Sequence, residues 1–361
     1  MRGRRKMDHL RLAHELGDGP GETGFDDIHF VHNCLPELGS REISTECSFC
    51  GRVFPAPLII NAITGGIEEG ARVNRALARA ARQLGIPMAV GSQTAALEAE
   101  EVCYTFQAAR EENPDGFIMA NLSAGSSVQK ALQAIEMIRA DALQLHLNVP
   151  QEVMMPPGEG DCSFRGILDN IRRIANSVPV PVMVKETGFG MAREEVLPLL
   201  RLGIAALGID GKGGTNFIRI EGERQQEAAA PFLNWGLPTA VSLIEAAEAA
   251  AAAGEACKAE IIAAGGVRSG MDIAKSLSLG AAAAAVAGPL VKCFYEGGAE
   301  SILWYLTKLV AELRQIMLML GANSIQQLQR RPLMILGATG KWLELRGISV
   351  EQYARRGCQA E

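Results

Sequence analysis

The sequence predicts a (β/α)₈ barrel (a TIM barrel), with a cap segment before it and a closing helical segment after it. Three observations predict it. Short apolar runs of β character recur eight times, separated by stretches of helical pattern, which is the rhythm of a parallel sheet. Most of the runs are apolar throughout, as strands buried on both faces must be. Nearly every run then ends in small or polar residues, and chemistry gathered at the C-terminal ends of parallel strands is what a barrel's active face requires. An open doubly wound sheet is the alternative that the same alternation allows.

The elements follow in order. Residues 1–57 precede the first run and read as a clamp or cap; its exposed start is expected to contribute little core. "LIINAI" (58–63) opens the barrel and ends in Asn61-Ala62-Ile63-Thr64. "PMAVGS" (87–92) runs into Gly91-Ser92-Gln93, and "FIMANL" (117–122) carries Asn121. "ALQLHLN" (142–148) alternates: Leu143, Leu145 and Leu147 point one way, Gln144, His146 and Asn148 the other. An ordinary half-buried strand shows the same pattern. In a parallel barrel, however, neither face gives free hydration, so Gln144 and His146 need partners. "PVMVKE" (181–186) ends in Lys185-Glu186, and "AALGID" (205–210) in Asp210. "EIIAAG" (260–265) and "AAAVAG" (283–288) end in Gly265-Gly266 and Ala287-Gly288. "LPTAVS" reads as a helix start, with Pro238 near its first turn and Gly254 at its end. The barrel is expected over 58–299, and 300–361 as a helical segment packed on it.

Composition excludes some classes. A formal net charge of −6 argues against a dedicated nucleic-acid binder. No apolar run reaches membrane-spanning length; the richest late stretch, 302–320, is interrupted by Lys308, Glu312 and Arg314. The N-terminus lacks an apolar signal core, and eight scattered cysteines fit a reducing compartment, so a cytoplasmic protein is expected. Cys47 and Cys50 form one C-x2-C, without the second pair that a structural zinc site needs.

Several residues carry chemistry. The glycine turns after the last two runs free backbone N–H groups for an anion, and in barrels this corner commonly holds a phosphate. "DGKGGTNF" (210–217) is a third such turn; it is neither a P-loop nor a dinucleotide fingerprint. Lys185 at a strand end has three possible tasks: a Schiff base, a pair with Glu186, or support of an anionic cofactor ring. Glu152 is a candidate ligand for Mg²⁺ held mainly by substrate phosphates and water. "RRKMDHL" places Arg4, Arg5, Lys6 and His9 within six residues, either a solvated basic tail or a clamp for an anionic substrate.

Taken together, "RKMDHL", "TGFDDIHFVHNCLPE", "LIINAITGG", "AVGSQ", "LQLHLNVPQE", "VKETGFG", "DGKGGTNF" and "AAGGVRSGMDIAKSLSLGA" resemble the type 2, FMN-dependent isopentenyl-diphosphate isomerases over nearly the whole chain. The resemblance implies a five-carbon diphosphate whose double bond moves from C3–C4 to C2–C3, with one proton added and another removed. It implies FMN active in its reduced form, NADPH as reductant, Mg²⁺, and a homo-oligomer, a tetramer or octamer. It places Ala62, Ile63, Thr64, Ser92, Asn121, Lys185, Thr215, Gly265, Gly266, Ala287 and Gly288 against the flavin. Arg5 and Lys6 match the pair that grips the diphosphate, with His9 and Gln93 in the substrate-binding set. Gln151 matches the glutamine beside the reacting alkene; His146 and Asn148 join it in the catalytic set, and Glu152 matches the Mg²⁺ ligand. Two positions depart from the pattern: Thr94 stands where many members have Arg, and Asp210 where small residues are often found. Another FMN barrel oxidoreductase, such as a 2-hydroxyacid oxidase, is the rival reading. Such an oxidase would want a His base and an Arg clamp at the late strand ends, and "GKGGTNF" has neither.

Overall fold

Eight parallel strands close into a barrel in chain order: Leu58–Ile60, Met88–Ala89, Ile118–Ser123, Ala142–His146, Val182–Lys185, Ala206–Gly208, Glu260–Ala263 and Ala283–Val286. This computed structural model describes residues 2–226, 230–254 and 258–357. Seven strands lie within the apolar runs that predicted them, the third running one residue further to Ser123, and most stop before the run's polar end. There the chain turns out of the ladder to make other bonds, as where Asn61 Oδ1 takes the N–H of Ala62 at 2.9 Å.

The strand period of two sorts the side chains. Ile59, Ala89, Met119, Ala142, Met183, Ala206, Ile262, Ala283 and Ala285 fill the lumen. Leu58, Ile60, Leu143, Leu145, Val184 and Leu207 belong to the core outside it. Two residues further along the inward set stand Asn61, Asn121, Gln144 and Lys185, and Asp210 stands four beyond Ala206, so the lumen turns from apolar to polar toward its C-terminal end. Pairing in register sets His146 beside Lys185 and Lys185 beside Gly208.

A hairpin of Cys47–Phe49 and Arg52–Phe54 closes the opposite end. Phe49 and Phe54 pack edge-on to Phe117 at 5.6 and 5.5 Å between ring centroids, and all three join the lumen core. Burial and the neighbouring Glu260 push the Cys47 and Cys50 thiols up to about 12, so neither is a ready thiolate. Among the described residues no three metal-binding side chains converge.

Residues Arg2–Leu16 form a helix that packs through the buried Leu10 and Leu12, while the side chains of residues 3–6 are not buried. Arg219 Nη1 donates to the carbonyl of Leu16 at its end, 3.3 Å away. Further on, Ile28–Phe30 pairs antiparallel with Leu333–Ile335, tying the first segment to the last. The helix Gly288–Met319 loses helical geometry at Gly297 and Gly298, and its second part belongs to the C-terminal segment. Thr239–Ala253 is the helix expected after Pro238, and it ends at Gly254. Among the described residues no helix is long and apolar enough to cross a membrane.

Candidate active site

A cavity of about 630 Å³ opens at the C-terminal ends of the strands, with the N-terminal helix along its mouth. That volume suits a cofactor or small ligand. Every site residue expected from the sequence lines it except Gln93. Gln93 is fully buried behind the wall, where Oε1 takes the Asn121 N–H at 3.0 Å and Nε2 donates to the Ala134 carbonyl at 2.9 Å. Its amide is bonded to the backbone and holds Asn121 in place, outside the cavity lining.

Strand four answers why a buried strand carries polar residues. Asn121 Nδ2 donates to Gln144 Oε1 at 3.0 Å, and Asn121 Oδ1 lies 2.9 Å from His146 Nδ1. That order makes Nδ1 the protonated nitrogen of His146 and leaves Nε2 as an acceptor. Burial, with Lys185 and Lys6 adding repulsion, lowers the His146 pKa to about 3, so the ring is neutral.

Past the strand end, Asn148 precedes the short helix Val149–Met154 and donates Nδ2 to Glu152 Oε1 at 2.7 Å. Glu152 Oε2 receives the Asp161 N–H at 2.8 Å. The carboxylate is thus aimed at the cavity from a fixed position. Gln151, one residue earlier, is buried and donates Nε2 to Glu221 Oε1 at 3.1 Å. Glu221 also meets His9 Nε2 at 2.8 Å and makes a short ion pair with Arg224. Arg224 reaches on to Glu159 at 2.9 Å, and Arg5 approaches the same Glu159 at 4.0 Å. Lys6 Nζ donates to the carbonyl of Ser92 at 2.8 Å. Cations of the N-terminal helix therefore stand beside Gln151 and Glu152.

Lys185 settles on a partner that its sequence neighbours did not suggest. Its Nζ lies 3.0 Å from Asp210 Oδ1 and donates to the backbone carbonyl of Glu186 at 2.5 Å. The Glu186 carboxylate instead takes the N–H groups of Thr187 and Phe189, each at 2.6 Å. Burial raises the Glu186 pKa to about 8. Asn61 Nδ2 gives Asp210 Oδ1 a second donor at 2.8 Å, while Oδ2 is buried without one.

The glycine turns build an anion cradle. Gly265 has φ 96°, and a Cβ there would lie 2.0 Å from the Gly211 carbonyl; Gly266, at φ 73°, would meet Gly213 at 2.4 Å. Only glycine lets these turns approach each other. Thr215, Ala287 and Gly288 line the same corner, where the helix from Gly288 presents its N-terminus. Arg268 lines it too, its fork held by Asp18. Ala62, Ile63, Thr64 and Ser92, after the first two strands, continue the wall beside the eighth strand.

The sequence argument missed the roles open to Glu221, Arg268 and Asp210. Glu221 sits inside the helix Phe217–Gln225, four residues after Phe217, in a pattern indistinguishable from a solvated helix face. Arg268 follows a glycine turn, as many surface arginines do. Asp210 stood out only as a departure.

Residues 17–154 and 165–335 match the FMN-dependent dehydrogenase family. An isopentenyl-diphosphate delta-isomerase of Moorella thermoacetica is 44% identical over 343 residues, covering 95% of this chain and 96% of that one. That of Symbiobacterium thermophilum is 41% identical over 366 residues, 99% of each. A Pediococcus acidilactici lactate oxidase shares the fold at TM-score 0.67 and 16% identity, covering 92% of this chain and 94% of the other. A flavocytochrome b2 variant with sulfite bound does so at TM-score 0.67 and 18% identity, over 95% and 85%. Identity near 17% carries the barrel alone, whereas identity above 40% along essentially the full length carries the family. The chain belongs to the isopentenyl-diphosphate delta-isomerases, within the FMN-dependent dehydrogenase family.

Proposed function

We propose that the protein interconverts isopentenyl and dimethylallyl diphosphate with reduced FMN and Mg²⁺, each bound in the cavity at the strand ends. One observation carries this reading: the cations Arg5 and Lys6, the pair Gln151 and Glu152, and the glycine cradle all line a single cavity. The residues fit the flavin. The cradle between Gly265, Gly266 and Gly288 suits its phosphate, and Lys185, with the orphan oxygen of Asp210, suits a ring edge bearing both donors and acceptors.

Reduced FMN, when bound, supplies an electron-rich ring with exchangeable protons near the alkene. The chain's own groups do the rest. Arg5 and Lys6 grip the diphosphate, one by a planar fork and one by a point charge. Glu152, held by Asn148 and Asp161, contributes the one carboxylate that a diphosphate-bound Mg²⁺ requires. Gln151 is oriented by Glu221 beside the reacting carbons. Neutral His146 offers an Nε2 acceptor without adding positive charge. The packed N-terminal helix excludes water, which protects a cationic transition state from capture.

NADPH as reductant, cytoplasmic residence and assembly into a tetramer or octamer belong to the same reading. The exposed apolar side chains of Trp235, Trp304 and Leu345 favour assembly, and light scattering measures it. The test of function is turnover of isopentenyl diphosphate with FMN and Mg²⁺ under dithionite, followed by NMR of the product. Turnover that persists with oxidised FMN, or none when FMN is reduced, overturns the proposal. Oxidation of lactate or mandelate would instead favour the hydroxyacid oxidase reading.

A further inference from the structure

Asp210 uses only one of its two carboxylate oxygens. Oδ1 takes Lys185 Nζ at 3.0 Å and Asn61 Nδ2 at 2.8 Å. Oδ2 is buried, finds no hydrogen-bond partner among the described residues, and belongs to a residue of the cavity wall. The backbone is held to this end. Asp210 has φ 37°, a left-handed conformation that few non-glycine residues adopt. The N–H groups of Gly188 and Gly190 both donate to its carbonyl, at 2.9 and 3.2 Å. A buried carboxylate oxygen left unpaired is costly, and a ligand's donor removes that cost.

We propose that Asp210 keeps a second proton at the Lys185 edge of the site when bound FMN is reduced, its Oδ2 sharing that proton with the flavin N1. This rests on the FMN reading above. Two electrons entering the ring bring one proton to N5 and leave negative charge along the N1–C2=O edge. Lys185 alone would balance that charge and leave N1 bare. Asp210 cancels the lysine's charge and supplies an acceptor, so a second proton is drawn from solvent. Two electrons are then matched by two protons. A reaction that adds one proton and removes another gains an exchangeable proton in the lumen.

The charged groups around Asp210 are few. Lys185 faces it from the fifth strand. Glu186 follows on the same strand, with its carboxyl turned to the Thr187 and Phe189 N–H groups. His146 is neutral and Asn61 uncharged. Burial raises the Asp210 pKa and Lys185 and Asn61 oppose it, which brings this carboxyl closer to sharing a proton at neutral pH.

The test compares the FMN-loaded wild type with Asp210→Asn, Asp210→Gly and Glu186→Gln. The midpoint potential is measured from pH 7 to 9 against reference dyes, its slope giving protons taken up per two electrons. About two are expected for the wild type and Glu186→Gln, and about one for both Asp210 variants. Reduced-flavin absorbance should show N1 at least tenfold more acidic in those variants, about one pKa unit. Glycine suits φ 37°, and its oxidised FMN stoichiometry shows that the site is intact. Equal proton numbers in wild type and Asp210 variants, or one in the wild type, overturn the proposal. A wild type that binds no FMN overturns the cofactor reading instead.

Discussion

Gln151 points its side-chain amide at Glu221, 3.1 Å away, and the same carboxylate oxygen meets His9 of the N-terminal helix at 2.8 Å. Glu221 is wholly buried, and its pKa is lowered: burial would raise it, but the bonds from His9, Gln151 and Arg224 outweigh that. An anion so placed couples the mouth helix to Gln151 on the cavity wall. Hydrogen bonds to a charged partner are worth about 1.5–3 kcal/mol. Glu221→Gln should therefore lower kcat/KM by about ten- to a hundredfold, at about 1.4 kcal/mol per decade. Adding Gln151→Ala to that variant should cost less than in the wild type. Strict additivity in this double-mutant cycle would refute the coupling.

His146 gives a prediction in pH. Its folded pKa of about 3 lies well below the unfolded value near 6.5. Between the two, the unfolded chain binds a proton that the folded one does not. Stability contributed by the neutral ring is therefore full above pH 6.5 and declines as pH falls toward 3. His146→Asn should flatten the loss of Tm between pH 7 and 4.5. No inflection near pH 6.5 in kcat should belong to this ring. A His146 ring titrating near 6.5 by NMR would contradict both.

Glu186 has the opposite sign. Its folded pKa of about 8 lies above the ordinary 4.5, so the folded state binds the extra proton and loses stability as pH rises between these values. Glu186→Gln should consequently gain in Tm relative to wild type as pH goes from 5 to 8. A Tm difference that stays constant across that range would show that the carboxyl is ionised throughout.

The barrel was legible because its signal is periodic. All eight strands coincide, to within one residue, with runs marked by apolarity and polar ends, and the lumen set from Ile59 to Ala285 follows from the period of two. What stayed hidden depends on contacts between distant segments. Nothing local separates Gln93, spent on the backbone of Asn121 and Ala134, from Gln151, which faces the cavity. A pair with Glu186 is one of three tasks that adjacency leaves open to Lys185, yet strand alternation turns that carboxylate away and the neighbouring sixth strand brings Asp210 to it. Glu221 acquires meaning only once the N-terminal helix brings His9 to it.

Glu152 should govern the metal. Its two oxygens are fixed by Asn148 and the Asp161 N–H, and no other acid joins it in a three-residue cluster among the described residues. Mg²⁺ would thus depend on Glu152 and the substrate's own phosphates. Glu152→Gln should keep stoichiometric flavin and raise the Mg²⁺ needed for half-maximal rate by at least tenfold. A superimposable Mg²⁺ titration would assign the metal elsewhere.

The N-terminal cations supply the last prediction. Arg5 Nη1 rests on Met155 Sδ at 3.2 Å and Lys6 Nζ on the Ser92 carbonyl at 2.8 Å, both on the cavity wall. Among the described residues the nearest acid to Arg5 is Glu159 at 4.0 Å. The Arg5 charge, held over the mouth, is available to a diphosphate, with Lys6 beside it on the same wall. Each charge-assisted contact contributes about 1.5–3 kcal/mol, so Arg5→Ala with Lys6→Ala should lower kcat/KM by about two to four decades at 1.4 kcal/mol each. The loss should fall mainly on KM, and the wild type should weaken with added salt more than the variant does. FMN affinity should hold, because its cradle lies on the late strands. The helix should also stay docked, since Leu10 and Leu12 keep it packed and His9 keeps its bond to Glu221. Unchanged Tm and flavin spectrum beside the collapsed kcat/KM would assign these residues to substrate capture; near-normal kcat/KM would return them to a solvated helix end.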